Sequence, residues 1–207
     1  MKFSGFSAKD FETFQIDGLA DRMEAIQTRI QPKFRQIGDQ LTSDLSIKLG
    51  NEMFLHIAKH ARRTVNPPKD TWLAVCNNKR GYKKHPHFQV GLFDDRLFIW
   101  LAFIYELPNK EIIARNFQNH INEIESIVPG HFVISQDHMK KDAVAVKDAD
   151  LQAILSRFEK VKKAEFLLGV HIDAHDGILQ DGQQLLSYIQ ETIDALIPIY
   201  QLAYAEN

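Results

Sequence analysis

FQVGLFDDRLFIWLAFIY, residues 88–105, is the stretch whose reading decides the fold. Two apolar runs, Phe88 to Phe93 and Leu97 to Tyr105, flank Asp94-Asp95-Arg96. Their β-branched and aromatic side chains favour extended backbone, and the three polar residues between them are enough to reverse the chain into an antiparallel hairpin. Leu97 to Phe103 shows no apolar–polar alternation. A strand with that pattern is buried on both faces, which predicts a place in the middle of a sheet.

Moving outward, Trp72 to Val75, His131 to Ser135 and Phe166 to Ile172 have the same strand character. Met53 to His60 fits both periods, since Phe54, Ile57, Ala58 and Ala61 form a helix stripe while Met53, Leu55 and Ile57 alternate; a strand is the reading taken. The first fifty residues read as two or three helices. Ser7 caps the first, Leu19, Met23, Ile26 and Ile30 form a stripe, Pro32 kinks or restarts the run, and Phe34, Ile37, Leu41 and Leu45 carry it to Gly50. Ile113, Phe117, Ile121 and Ile124 predict one long helix ending at Pro129-Gly130. Leu151, Ile154, Leu155 and Phe158 predict a helix from about 148 to 163, with Lys160, Lys162 and Lys163 at its C-terminal end. Leu185, Ile189, Ile193, Leu196 and Tyr200 predict a last one, bent at Pro198. The expected class is α+β: a mainly antiparallel sheet covered by several helices, in a single domain over residues 1–207. No repeat or linker divides it.

A chain of 207 residues with 44% hydrophobic and 25% charged residues has globular composition and buries roughly 70% of its unfolded surface. Cys76 is the one cysteine, which excludes an intramolecular disulfide and a cysteine zinc site and predicts a reducing compartment. Met1 to Phe6 has no signal-peptide pattern. The longest apolar run falls well short of the roughly 20 residues of a membrane helix. The expectation is a cytoplasmic protein without a membrane partner.

Charge is strongly segregated. Residues 56 to 87 carry Lys59, Arg62, Arg63, Lys69, Lys79, Arg80, Lys83 and Lys84 against Asp70 alone, a net +7 in a chain of net −2. His56, His60, His85 and His87 share the window. Guanidinium and ammonium groups pair with phosphate oxygens, Tyr82 and Trp72 offer stacking surfaces, and Gly81 permits close backbone approach. The alternative is a solvated face whose bases pair with acidic helices of the same chain.

Other constellations are weaker. His56 and His60 on a strand stand about 13 Å apart, too far to share an ion, and the same spacing separates His171 from His175 across Asp173 unless the strand ends between them. Cys76 alternates with Trp72 and Ala74, which predicts a core residue rather than a nucleophile. No G-x-S-x-G, Walker A or G-x-G-x-x-G pattern occurs. No metal set and no cofactor are assigned.

Several segments together carry a family resemblance: His56-Ile57-Ala58-Lys59-His60-Ala61-Arg62-Arg63, Asn66-Pro67-Pro68, Thr71-Trp72, Asn78-Lys79-Arg80-Gly81-Tyr82-Lys83-Lys84 and Pro86-His87-Phe88. The chain resembles the YktB-like family of small uncharacterised proteins from Gram-positive bacteria, over nearly its whole length. That resemblance implies an α+β fold and brings no activity, substrate or catalytic residue.

The residues themselves predict binding of a phosphate-bearing ligand, a nucleotide or nucleic acid such as RNA, through His60, Arg62, Arg63, Lys79, Arg80, Tyr82, Lys83 and His87. Those bases are expected to converge on one surface. Two alternatives stand beside this reading. One is an enzyme acting on an anionic small molecule with His60 or His87 as the acid–base group. The other is a module that docks an acidic protein partner.

Overall fold

A computed structural model describes residues 3–205. In chain order the elements are α1 (Ala8–Glu12), α2 (Leu19–Ala25), α3 (Gln31–Leu49), β1 (Phe54–Ile57), β2 (Thr71–Cys76), β3 (His87–Leu92), β4 (Arg96–Phe103), α4 (Lys110–Asn119), α5 (Ile121–Ile127), β5 (Val133–Ser135), β6 (Val144–Ala145), α6 (Leu151–Lys160), β7 (Phe166–Asp173) and α7 (Gly182–Leu202). The strands form one seven-stranded sheet in the order β1-β2-β3-β4-β7-β5-β6. Every pairing is antiparallel.

The hairpin of residues 88–105 is β3–β4, with Leu92 opposite Leu97, and β4 pairs with β7 on its other edge. The expected central strand is therefore central, and its uniform burial has a simple cause. Leu97, Ile99, Leu101 and Phe103 face the main core, where they meet Phe34, Ile37, Phe117, Phe158, Leu185 and Ile193 from the helices. Phe98, Trp100 and Ala102 point to the opposite face and form a second apolar layer with Trp72, Ala74 and Leu167. That second layer has no helical member; side chains from connecting segments, Ala58, Tyr82 and Phe93, close over it. Small residues in the strands make room for its large rings: a Cβ on Gly91 would lie 2.2 Å from Phe98 Cζ, and one on Gly169 would lie 3.1 Å from Trp100 Cε3.

The helical segments follow the stripes, with local differences. Ser7 receives its reciprocal cap from Asp10, whose Oδ2 accepts from the Ser7 backbone N–H at 2.7 Å and hydroxyl at 3.0 Å. The break foreseen at Pro32 is a π-helical turn, Ile26–Ile30, that feeds directly into α3, with Pro32 at the start of α3. The single helix expected after Pro108 is two, α4 and α5, divided at His120, whose backbone leaves helical geometry and whose Nδ1 bonds the Asn116 carbonyl at 2.8 Å. α6 is shorter than its stripe suggested, because the Asp150 carboxylate caps the Ala153 N–H at 2.9 Å and the helix ends at Lys160. Lys162 and Lys163 lie beyond it. No described helix is long and apolar enough to cross a membrane.

Candidate anion-binding cleft

Three parts of the fold converge at the β1 edge of the sheet. α3 turns its apolar stripe, Phe34, Ile37, Leu41 and Leu45, into the core, which leaves Gln31 and Arg35, one turn apart, on a flank facing outward. β1 is an edge strand whose residues are all half-buried. After β2 the chain makes an Asx turn: Asn78 Oδ1 accepts from the backbone N–H of Arg80 at 2.9 Å and of Gly81 at 3.3 Å. His56 Nε2 fixes the same turn to β1 through the Asn78 carbonyl at 2.8 Å.

Between these parts lies an open cleft of about 950 Å³, whose charged lining is Arg35, Lys59, Arg80, Lys83, Lys84 and Glu106. Glu106 is paired with Lys83 at 3.1 Å. Among the described residues no carboxylate pairs with Arg35, Lys59, Arg80 or Lys84. Lys83 is the one base of the cleft that, among the described residues, has the acidic partner the solvated-face alternative expects. Unpaired cations held around one concavity repel each other, so an anion entering it gains from all of them at once.

Of the eight residues predicted to bind the ligand, Arg80, Tyr82 and Lys83 line this cleft and the other five do not. Lys79 is exposed in the same turn but does not line it. Arg62 is exposed on a separate turn, and Arg63 next to it donates from Nη1 to the carbonyls of Asn66 at 3.3 Å and Pro67 at 3.5 Å. The expected convergence of the whole basic window is thus partial. Lys59 and Lys84 do reach the cleft. Arg35, from outside the window, was missed; its one signal is the exposed flank it shares with Gln31 on an amphipathic helix.

Both histidines foreseen as acid–base groups lie away from the cleft. His87 is 0% exposed; its Nδ1–H donates to the His85 carbonyl at 2.7 Å and its Nε2 accepts from the Gln89 amide at 2.8 Å. Burial pushes it down to about 3, which fixes the neutral ring. His60, in left-handed backbone at φ 49°, bonds Thr71 Oγ1 at 3.2 Å through Nε2. Burial, helped by Arg63, pushes it down to about 4. Both rings are therefore neutral at neutral pH.

The aromatic readings are also refined. Trp72 is buried and donates its indole N–H to Tyr82 Oη at 3.0 Å, so it offers no free stacking face. Tyr82 sits edge-on to His87 at 4.9 Å and tilted to His56 at 5.7 Å. Burial outweighs the Trp72 hydrogen bond and raises its phenol to about 12. It forms a neutral wall of the cleft. Cys76 is buried, and its thiol is pushed up by burial, as fits a core residue. His171 packs edge-on against Trp100 at 4.8 Å and faces Arg96 rather than His175.

A family model described as a domain of unknown function, DUF1054, matches residues 6–200. The UPF0637 protein of Oceanobacillus iheyensis is 61% identical over 97% of this chain and 97% of its own length. The corresponding protein of Shouchella clausii is 58% identical over 98% and 96%, and one from Listeria monocytogenes 54% over 97% and 98%. Among solved structures, a conserved hypothetical protein from Pyrococcus furiosus covers 89% of this chain and 99% of its own, at 12% identity and a TM-score of 0.40, too distant to bear on function. With a family model spanning nearly all of the chain and relatives of this identity in Gram-positive bacteria, the protein belongs to the uncharacterised DUF1054 family.

Proposed function

We propose that the protein binds a phosphate-bearing ligand in the cleft between α3, β1 and the Asn78–His85 loop, a nucleotide before a nucleic acid. The observation that carries this reading is the set of cations without acid partners, Arg35, Lys59, Arg80 and Lys84, around one concavity. Guanidinium groups from two separate elements, Arg35 on the helix and Arg80 on the loop, suit the forked geometry of phosphate oxygens. A nucleotide is favoured over a long polyanion because Arg62 and Arg63, which would extend a track, lie outside the cleft. The single, buried Cys76 supports a reducing, cytoplasmic setting.

Calorimetry with mono-, di- and triphosphate nucleosides, alongside anisotropy with labelled RNA and DNA oligomers, tests the reading. The expected result is nucleotide binding tighter than about millimolar at low salt, with a modest salt dependence. The Arg35→Ala/Arg80→Ala double mutant is expected to bind at least about tenfold more weakly, since each charge-assisted hydrogen bond contributes about 1.5–3 kcal/mol. Equal binding by wild type and double mutant, or no binding by either ligand class, overturns it. Oligomer binding with a steep salt slope would instead make the ligand a nucleic acid.

A further inference from the structure

The loop-covered face of the sheet holds a second set of charged groups, apart from the cleft. After β5 the chain passes through Asp137 and His138, and Glu165 stands immediately before β7. Glu165 is 2% exposed. Its Oε2 accepts from the His138 backbone N–H at 2.7 Å and its Oε1 from the Tyr105 N–H at 3.3 Å. Both of its oxygens also meet His138 Nδ1, at 2.8 and 2.9 Å. The ring is thereby fixed from one side, and its Nε2 makes no hydrogen bond among the described residues. One donor atom each from Asp137, His138 and Glu165 lies within 4.8 Å of the others.

A separate observation concerns Asp70, the lone acid of the basic window. It is 1% exposed, and among the described residues neither carboxylate oxygen has a hydrogen-bond partner beyond a contact with its own backbone N–H. A buried carboxylate in that state is costly unless a cation compensates it. Burial raises its carboxyl, and Arg63 and, when protonated, His138 act in the opposite direction. Trp72, two residues along on the same face of the sheet, meets the His138 ring edge-on at 6.2 Å.

We propose that Asp137, His138 and Glu165 form a binding site for a divalent transition-metal ion, with the buried carboxylate of Asp70 as a supporting charge rather than a ligand. An imidazole among carboxylates is a donor set for Mn²⁺ or Zn²⁺, whereas Mg²⁺ and Ca²⁺ prefer oxygen alone. Nitrogen and oxygen donors bind such ions at about 2.0–2.2 Å, so cis donors stand about 3 Å apart. The His138 Nδ1–Glu165 contact already has that spacing, and the ion would take the place of the proton shared there; Asp137 would give up its bond from the Met139 N–H and its contact with Lys140 to close on the ion. The ion would also neutralise the orphaned charge of Asp70. Without such an ion, the His138–Glu165 pair would serve only to pin the loop, and that role leaves Asp70 unexplained.

The test is calorimetry and thermal melting of the chelator-treated protein with MnCl₂, ZnCl₂ and, as control, MgCl₂. One equivalent of Mn²⁺ or Zn²⁺ is expected to bind and to raise the melting temperature. Asp70→Asn and Asp137→Asn are each expected to weaken binding by about ten- to a hundredfold. Without metal, both variants are expected to melt no lower than wild type, because one loses an unpaired buried charge and the other an exposed one. Asp137→Asn keeps the test open should Asp70→Asn fold poorly. Failure of both ions to bind wild type below about millimolar, or unchanged binding in the variants, overturns the proposal. Neither outcome bears on the nucleotide cleft, which shares none of these residues.

Discussion

Trp100→Ala is expected to lower the unfolding free energy by about 3–5 kcal/mol. Trp100 lies in the central strand β4 and is 3% exposed, yet it belongs to the layer that no helix covers. Its indole stacks on Phe98 at 6.2 Å, meets His171 edge-on at 4.8 Å, and stands opposite Gly169 in the register. A Cβ on Gly169 would lie 1.9 Å from the Ile99 carbonyl oxygen, so the strand residue facing Trp100 has no side chain with which to fill the vacated space. The cavity left by the truncation is walled by hydrogen-bonded strands, which cannot collapse into it without breaking ladder bonds. The full transfer and cavity penalty should therefore appear. Urea denaturation measures it, with an unchanged m-value expected. A loss below about 1 kcal/mol would mean that loops shield this layer too loosely to make it a core.

Where the chemistry of a position is local, it was legible. Residues 88–105 announced a hairpin because two β-forming runs flank a short polar turn, and β4 announced itself as central because both of its faces are apolar. The helix stripes likewise located α3, α4, α6 and α7, since one face of each is buried by the same residues that set the period. The basic window was legible as charge but not as geometry. β2 runs through its middle, and six extended residues span roughly 20 Å, so the turn carrying Arg62 and Arg63 belongs to the entry of β2 while the Asn78–His85 loop belongs to its exit. Arg35 joins the cleft only because α3 packs beside β1, a contact between elements that no spacing encodes. Asp70, His138 and Glu165 are scattered along the chain, and Asp70 stood out in the sequence only as the single acid of the basic window. Only the burial of its unpartnered oxygens sets it apart.

Acidification is expected to destabilise the protein before most carboxylates protonate, with stability level from pH 8 to about 7 and falling below about 6. Three histidines of the loop-covered side drive this. Burial holds His87 at about 3, and burial beside a cation, Arg63 for His60 and Arg96 for His171, holds those two at about 4. In the unfolded chain each titrates near 6.5. Below that value the unfolded state binds protons that the folded state refuses, so stability is complete above about 6.5 and is lost as pH falls toward the folded values. Each pH step of one between the unfolded and folded values costs about 1.4 kcal/mol, which makes His87 alone responsible for about 4–5 kcal/mol by pH 3, with smaller shares from the partly buried His60 and His171. Asp70 opposes them: burial raises its carboxyl to about 6, so protonating it returns about 3 kcal/mol between roughly pH 6 and 4. His138 opposes them too, since burial, which lowers it, is outweighed by its hydrogen bond to Glu165, which raises it; the three lowered histidines outweigh these two groups, so stability falls as the pH falls. Trp72 and Trp100 report the change directly, because Trp72 meets His60 edge-on at 5.6 Å and Trp100 meets His171 at 4.8 Å. Urea midpoints followed by tryptophan fluorescence at pH 8, 6 and 4, in chelator, should fall progressively. In His87→Asn, whose amide keeps a donor toward the His85 carbonyl, the loss between pH 8 and 4 should shrink even though the missing ring lowers stability at pH 8. Midpoints that stay constant from pH 8 to 4 would mean that these rings take up protons in the folded protein, and that water reaches the layer the sheet and its loops enclose.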